Sequence, residues 1–254
     1  LIAQVTATLA SHLAAGSLLL AAVLSLFHRL PLGFLRFCAS SSAILAALAA
    51  FPSSSPDHVR LLWALVAVVA ALWRLSLRGE ASGKTMAIVS AVTSVLVLVG
   101  TASPGIRAEA WVAAVSSLSS ALLLGAVTVT MVLGHWYLVD TSLSIAPLRD
   151  GARFVSLAVA ARWAAVAATL AFGGWEMLRI GRAADVILST NGLFFLFRGL
   201  MGLGAPLLLA FLIWQTVKIR STQSATGLLY VLLVLVLFGE LISSFLRFTT
   251  GYPL

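Results

Sequence analysis

Residues 225–248 read ATGLLYVLLVLVLFGELISSFLRF, an unbroken apolar stretch in which Glu240 and Arg247 are the only charged side chains. About 20 mainly apolar residues are what an α-helix needs to cross the hydrocarbon core of a bilayer. A membrane β-barrel would instead alternate apolar and polar residues in segments of about ten. No such alternation is present, so this stretch is a membrane-spanning helix with a carboxylate in its interior.

Seven further runs of the same kind precede it. They are approximately Ile2–Phe27, Leu32–Phe51, Val59–Leu75, Met86–Thr101, Ala108–Val139, Arg153–Trp175 and Ile187–Val217, separated by Pro, Gly, Ser and charge. The whole chain has 254 residues, of which 61% are hydrophobic and 9% charged, with a mean hydropathy of +1.09. A soluble domain averages about 25% charged residues and has no means of hiding this much apolar surface. The expected fold is an all-α integral membrane protein of about eight helices. No cleavable signal peptide is visible in a chain that begins at Leu1.

The formal net charge is +8. The basic residues stand singly or in pairs between apolar runs, with no continuous basic stripe, which argues against nucleic acid as a partner and for the lipid bilayer. Connections after odd-numbered helices hold Arg29, Arg74, Arg78, Lys84, Arg149, Arg153, Lys218 and Arg220. Those after even-numbered helices, with the tail, hold Arg60, Arg107, Arg179, Arg182 and Arg247. The bias of eight against five favours both termini on the non-cytoplasmic side, and a bacterial inner membrane is the expected setting.

A faint internal echo links Phe27-His28, Pro31 and Arg36-Phe37 to His135-Trp136, Pro147 and Arg153-Phe154, each followed by an alanine-rich helix. It fits a four-plus-four bundle with halves 1–107 and 108–254; chance alanine richness is the alternative. The single cysteine, Cys38, excludes a disulfide or a thiolate cluster within the chain and reads as a small buried hydrophobe.

Ionisable groups at membrane depth are costly and mark function or an internal partner. Counting about 1.5 Å per residue along each helix, His12, Arg198 and Glu240 share the half of the membrane nearer the termini. An Arg198–Glu240 pair between consecutive antiparallel helices is geometrically natural, and Arg suits a bidentate carboxylate. A purely structural pair that neutralises two buried charges is the competing reading. His135, Tyr137 and Arg162 are expected to form a second polar cluster near the opposite side, able to bind a head group or relay protons. Trp136 and Tyr137 equally suit an aromatic anchor at the membrane interface.

Haem with two axial histidines needs a matched pair at one depth. His12 and His135 are offset by an order of 15 Å or more, so no intrinsic haem is expected. No two His or carboxylates lie at ligand spacing on one helix face, so no metal site is expected either. Phosphate-loop and nucleophile-elbow motifs are lacking, so no catalytic residue of a soluble type is assigned.

The tail Gly239-Glu240-Leu241-Ile242-Ser243-Ser244-Phe245-Leu246-Arg247-Phe248 resembles the last helix of the NrfD/PsrC and DmsC-type polytopic quinone-interacting membrane anchors. That resemblance covers the last helix, and by position it carries over Glu240 and Arg247; His135-Trp136-Tyr137 has no counterpart in it. It implies a quinone or quinol bound between helices, no haem, and electrons passed to an iron–sulfur or cytochrome partner subunit. On this reading the chain is a membrane subunit of an electron-transfer complex. Glu240, Arg198 and His12 are then its candidates for quinone contact or proton relay, with His12 hydrogen-bonding a quinone carbonyl. Two other classes stay open. One is a non-catalytic structural subunit, for which the small-residue runs Ala43–Ala50 and Ala158–Ala168 allow close helix packing. The other is a transporter, for which Gly199–Pro206 is the candidate helix break.

Overall fold

A computed structural model describes residues 1–52, 55–77, 80–102, 110–140, 143–174 and 190–252. Eight helices in it are long and apolar enough to cross a membrane, and the chain is an integral membrane protein. The first six spans are α1 (Ile2–Phe27), α2 (Leu32–Ala50), α3 (Asp57–Ser76), α4 (Glu80–Gly100), α5 (Ala110–Val139) and α6 (Ala146–Thr169). The seventh is composite: α7 (Thr190–Phe197), a wide π-helical turn (Arg198–Gly204) and α8 (Ala205–Lys218). The eighth is α9 (Thr222–Thr250). With eight spans, the start of α1 and the end of α9 lie on one side, here the terminal face; the turns α1–α2, α3–α4, α5–α6 and α8–α9 lie on the far face.

Local chemistry sets the ends. Pro31 and Pro56 stand immediately before α2 and α3, where a residue that lacks an N–H costs the helix nothing. Gly251, at φ 81°, closes α9 in the left-handed conformation, which glycine adopts without a Cβ clash. Two starts differ from the hydropathy reading. α4 begins at Glu80 rather than Met86, and α6 at Ala146 rather than Arg153. Pro147 occupies the first turn of α6, so the proline that reads as a loop marker is a helix starter.

α1 packs against α2, α4 and α5; α2 against α3; and α3 against α4. α5 packs in turn against α6 and α9, while α8 lies on α6 and α9. α1 and α5 form the spine and are largely buried, whereas α3 is mostly exposed. Their contact is backbone to backbone. A Cβ on Gly16 would lie 1.7 Å from the Ala121 carbonyl oxygen, and one on Gly125 would lie 2.0 Å from the Gly16 carbonyl carbon. Close glycine contacts of this kind drive helix association where lipid removes the ordinary hydrophobic incentive. Around the spine, Leu61, Leu72, Leu208, Phe211 and Val234 point outwards, as a lipid-facing surface requires.

Candidate functional site

Two polar regions occupy the half of the bundle nearer the terminal face. The first is an ion cluster at the junction of α5, α6, α9 and the π-helical turn. Arg162, Arg198 and Glu240 are each 1% exposed. Arg162 clasps Glu240 with both edges of its fork, Nε to Oε1 at 3.0 Å and Nη2 to Oε2 at 3.2 Å. Arg198 Nη2 donates to Oε1 at 2.8 Å, and Ser120 Oγ donates to Oε2 at 2.7 Å. These four bonds use the acceptor sites that a carboxylate offers. Arg162 also reaches the hydroxyls of Ser116 (2.8 Å), Ser119 (3.3 Å) and Ser243 (2.8 Å).

The composite span explains how Arg198 arrives there. Pro206 stands in the first turn of α8 and has no N–H for the carbonyl of Gly202, four residues earlier. The chain widens into a π turn, with Ala205 N–H bonded to Leu200 O, and Arg198 Nη1 donates to the Gly202 carbonyl at 3.2 Å. Close approach completes the arrangement, since a Cβ on Gly239 would lie 2.3 Å from Gly202 Cα. Single wide turns inside α-helices recur at functional positions.

The second region is an open cavity of about 340 Å³ at the terminal face, bordered by residues of α1 to α5 and α9. His12, Trp63, Ser117, Arg247 and Phe248 line it. His12 is 6% exposed, and its Nδ1 is buried without a hydrogen-bond partner. Arg247 donates to Ser117 Oγ at 3.3 Å and to the Ala102 carbonyl just beyond α4, which meets a helix-end acceptor lacking an intrahelical donor. Glu240, Ser243 and Arg247 share one stripe of α9 at spacings of three and four residues, so the stripe runs from the buried cluster to the cavity wall.

Arg198 and Glu240 therefore meet as their depths predict. His12 faces the cavity and hydrogen-bonds to neither. The expected cluster of His135, Tyr137 and Arg162 does not form, and the reason is the start of α6. Arg162 is 16 residues into that helix from Ala146, about 24 Å from the far face, whereas His135 is four residues from the far end of α5. His135 is exposed and its Nδ1 lies 3.1 Å from Tyr230 Oη, while Tyr137 Oη donates to the Ser144 carbonyl in the α5–α6 turn. Both belong to the far-face aromatic border. The hydropathy reading passes over Ser116, Ser119, Ser120 and Ser243, although hydroxyls at helical spacing inside apolar helices are a usable signal for interhelical bonding.

Among the described residues, no three His, Cys, Asp or Glu side chains converge as metal ligands would. In comparisons with protein-family models, curated proteins and solved structures, no match to this chain was found.

Proposed function

We propose that the chain is a membrane subunit of an electron-transfer complex that seats a quinone or quinol head group in the terminal-face cavity and anchors a redox partner beside it. The observation that carries this reading is the cavity itself: bordered by helix ends, partly aromatic, and lined by a buried histidine whose Nδ1 has no partner. Pockets for small cofactors are concave and mainly apolar, with a few placed polar groups. Trp63 and Phe248 suit a flat ring, and His12 and Arg247 suit its two oxygens. Glu240, with its acceptor sites filled, acts as a fixed part of the scaffold behind Arg247 rather than as a ligand contact.

Oxidation of a quinol here releases two protons and two electrons. The protons leave through the open terminal face, by way of His12, and the electrons pass to an iron–sulfur or cytochrome subunit docked over the cavity. The distribution of basic residues supports a terminal face directed away from the cytoplasm. A non-catalytic structural subunit is the second reading, favoured by the four hydrogen bonds that already fill the Glu240 carboxylate.

The test is extraction of the protein from native membranes in mild detergent, followed by chromatographic assay of bound quinone. Wild type is expected to carry quinone and His12→Leu to lose most of it. Wild type that carries phospholipid but no quinone would instead support the structural reading.

A further inference from the structure

A second site lies on the opposite side of the molecule and has a different chemistry. On the far face, a pocket of about 250 Å³ is bordered by Arg29 after α1, Lys84 in α4 and the N-terminal turn of α2 through Leu32 and Leu35. Among the described residues, neither Arg29 nor Lys84 has an ion-pair partner. Trp73 also lines the pocket, and its indole Nε1–H has no hydrogen-bond partner. The positive end of a 19-residue helix, two cations with no ion-pair partner among the described residues and an unmet donor all suit an anion.

A separate apolar groove of about 310 Å³ lies between α1 and α4, lined on α4 by Ile88, Val92 and Leu96 and on α1 by Leu19 and Leu26. Lys84, Ile88, Val92 and Leu96 follow one another at intervals of four residues, so a single stripe of α4 carries the cation at its head and the groove wall below. Arg29 follows the end of α1, three residues beyond Leu26. No polar side chain lines this groove. A free anion has no use for it, whereas an acyl chain fills it.

We infer that the α1/α4 cleft is a binding site for one anionic phospholipid, with its phosphate between Arg29 and Lys84 and an acyl chain in the groove below. The site is independent of the cavity at His12. Basic side chains next to a membrane surface attract anionic head groups in this way.

Native mass spectrometry of the detergent-purified protein, titrated with dioleoyl phosphatidylglycerol or dioleoyl phosphatidylcholine, tests the assignment. Phosphatidylglycerol is expected to bind preferentially, and the double variant Arg29→Gln/Lys84→Gln to bind it about 30-fold more weakly. Val92→Trp, which plugs the groove and leaves both cations in place, should also weaken binding. The charge-preserving Arg29→Lys/Lys84→Arg should retain it, which guards against a folding defect. Equal affinity for the two lipids, or unchanged binding in the double variant, overturns the inference. So does full competition by chain-free glycerophosphoglycerol, which would make the site one for soluble anions.

Discussion

The buried cluster around Glu240 and the cavity around His12 lie in the same half of the membrane, yet they are built on opposite terms. In the cluster the carboxylate is met by two guanidiniums and a serine, and three further hydroxyls surround Arg162. His12 lines the cavity, and its Nδ1 is buried with nothing to bond. A buried carboxylate with every acceptor met rigidifies a core, whereas an unmet polar group costs stability unless a ligand answers it. Arg198 Nε within the cluster also lacks a partner, so the regions differ in the fully met carboxylate of one and the open space beside His12 in the other. Gly16 and Gly125, at the α1–α5 contact, hold the two regions in register.

This contrast can be broken by substitution, and the largest effect is expected at that contact. Gly16→Val places atoms inside the Ala121 carbonyl, and the loss should exceed about 4 kcal/mol, so that little folded protein survives detergent extraction. Recovery of a normally folded Gly16→Val protein by size-exclusion chromatography would refute the tight α1–α5 packing. Next comes Arg162→Leu, which leaves Glu240 buried with one guanidinium; a loss of about 3–5 kcal/mol is expected, read as a lowered melting temperature. A shift no larger than that of a surface substitution would mean that Arg162 does not hold Glu240.

His12→Leu should behave in the opposite way. Replacing an unsatisfied imidazole by an apolar side chain is expected to leave stability unchanged or raise it by about 1 kcal/mol, while bound quinone falls. Strong destabilisation would place His12 in the scaffold and erase the distinction between the two regions. The smallest effect concerns neither region. Arg220, at φ 58° in the α8–α9 turn, should gain about 1 kcal/mol on replacement by glycine, with quinone content unaltered. A drop in melting temperature would show that its side chain has a use in the turn.

Much of the architecture is legible in the residues. Eight apolar runs specify eight spans, and the Arg198–Glu240 pair follows from depth alone because the seventh and eighth spans are sequential and antiparallel. Arg162 is misplaced for a local reason. Reading α6 from Arg153 discards nearly two turns that begin at Pro147, and about 10 Å of depth goes with them. The serines of α5 are visible as residues but not as ligands of Arg162, since α5 and α6 must first be aligned. The cavity is harder still. His12, Trp63, Ser117 and Arg247 come from four different helices, and no spacing within any one helix reveals that their ends leave a space.

The most direct test of the central claim is photoaffinity labelling of membranes containing the wild-type protein with an azidoquinone, followed by peptide mapping. Labels are expected on peptides that line the cavity, around His12 of α1, Trp63 of α3 or Phe248 of α9, and excess unlabelled quinol should abolish them. Labelling spread over the lipid-facing surfaces of α3 and α8, and insensitive to competing quinol, would contradict a quinone site in this cavity.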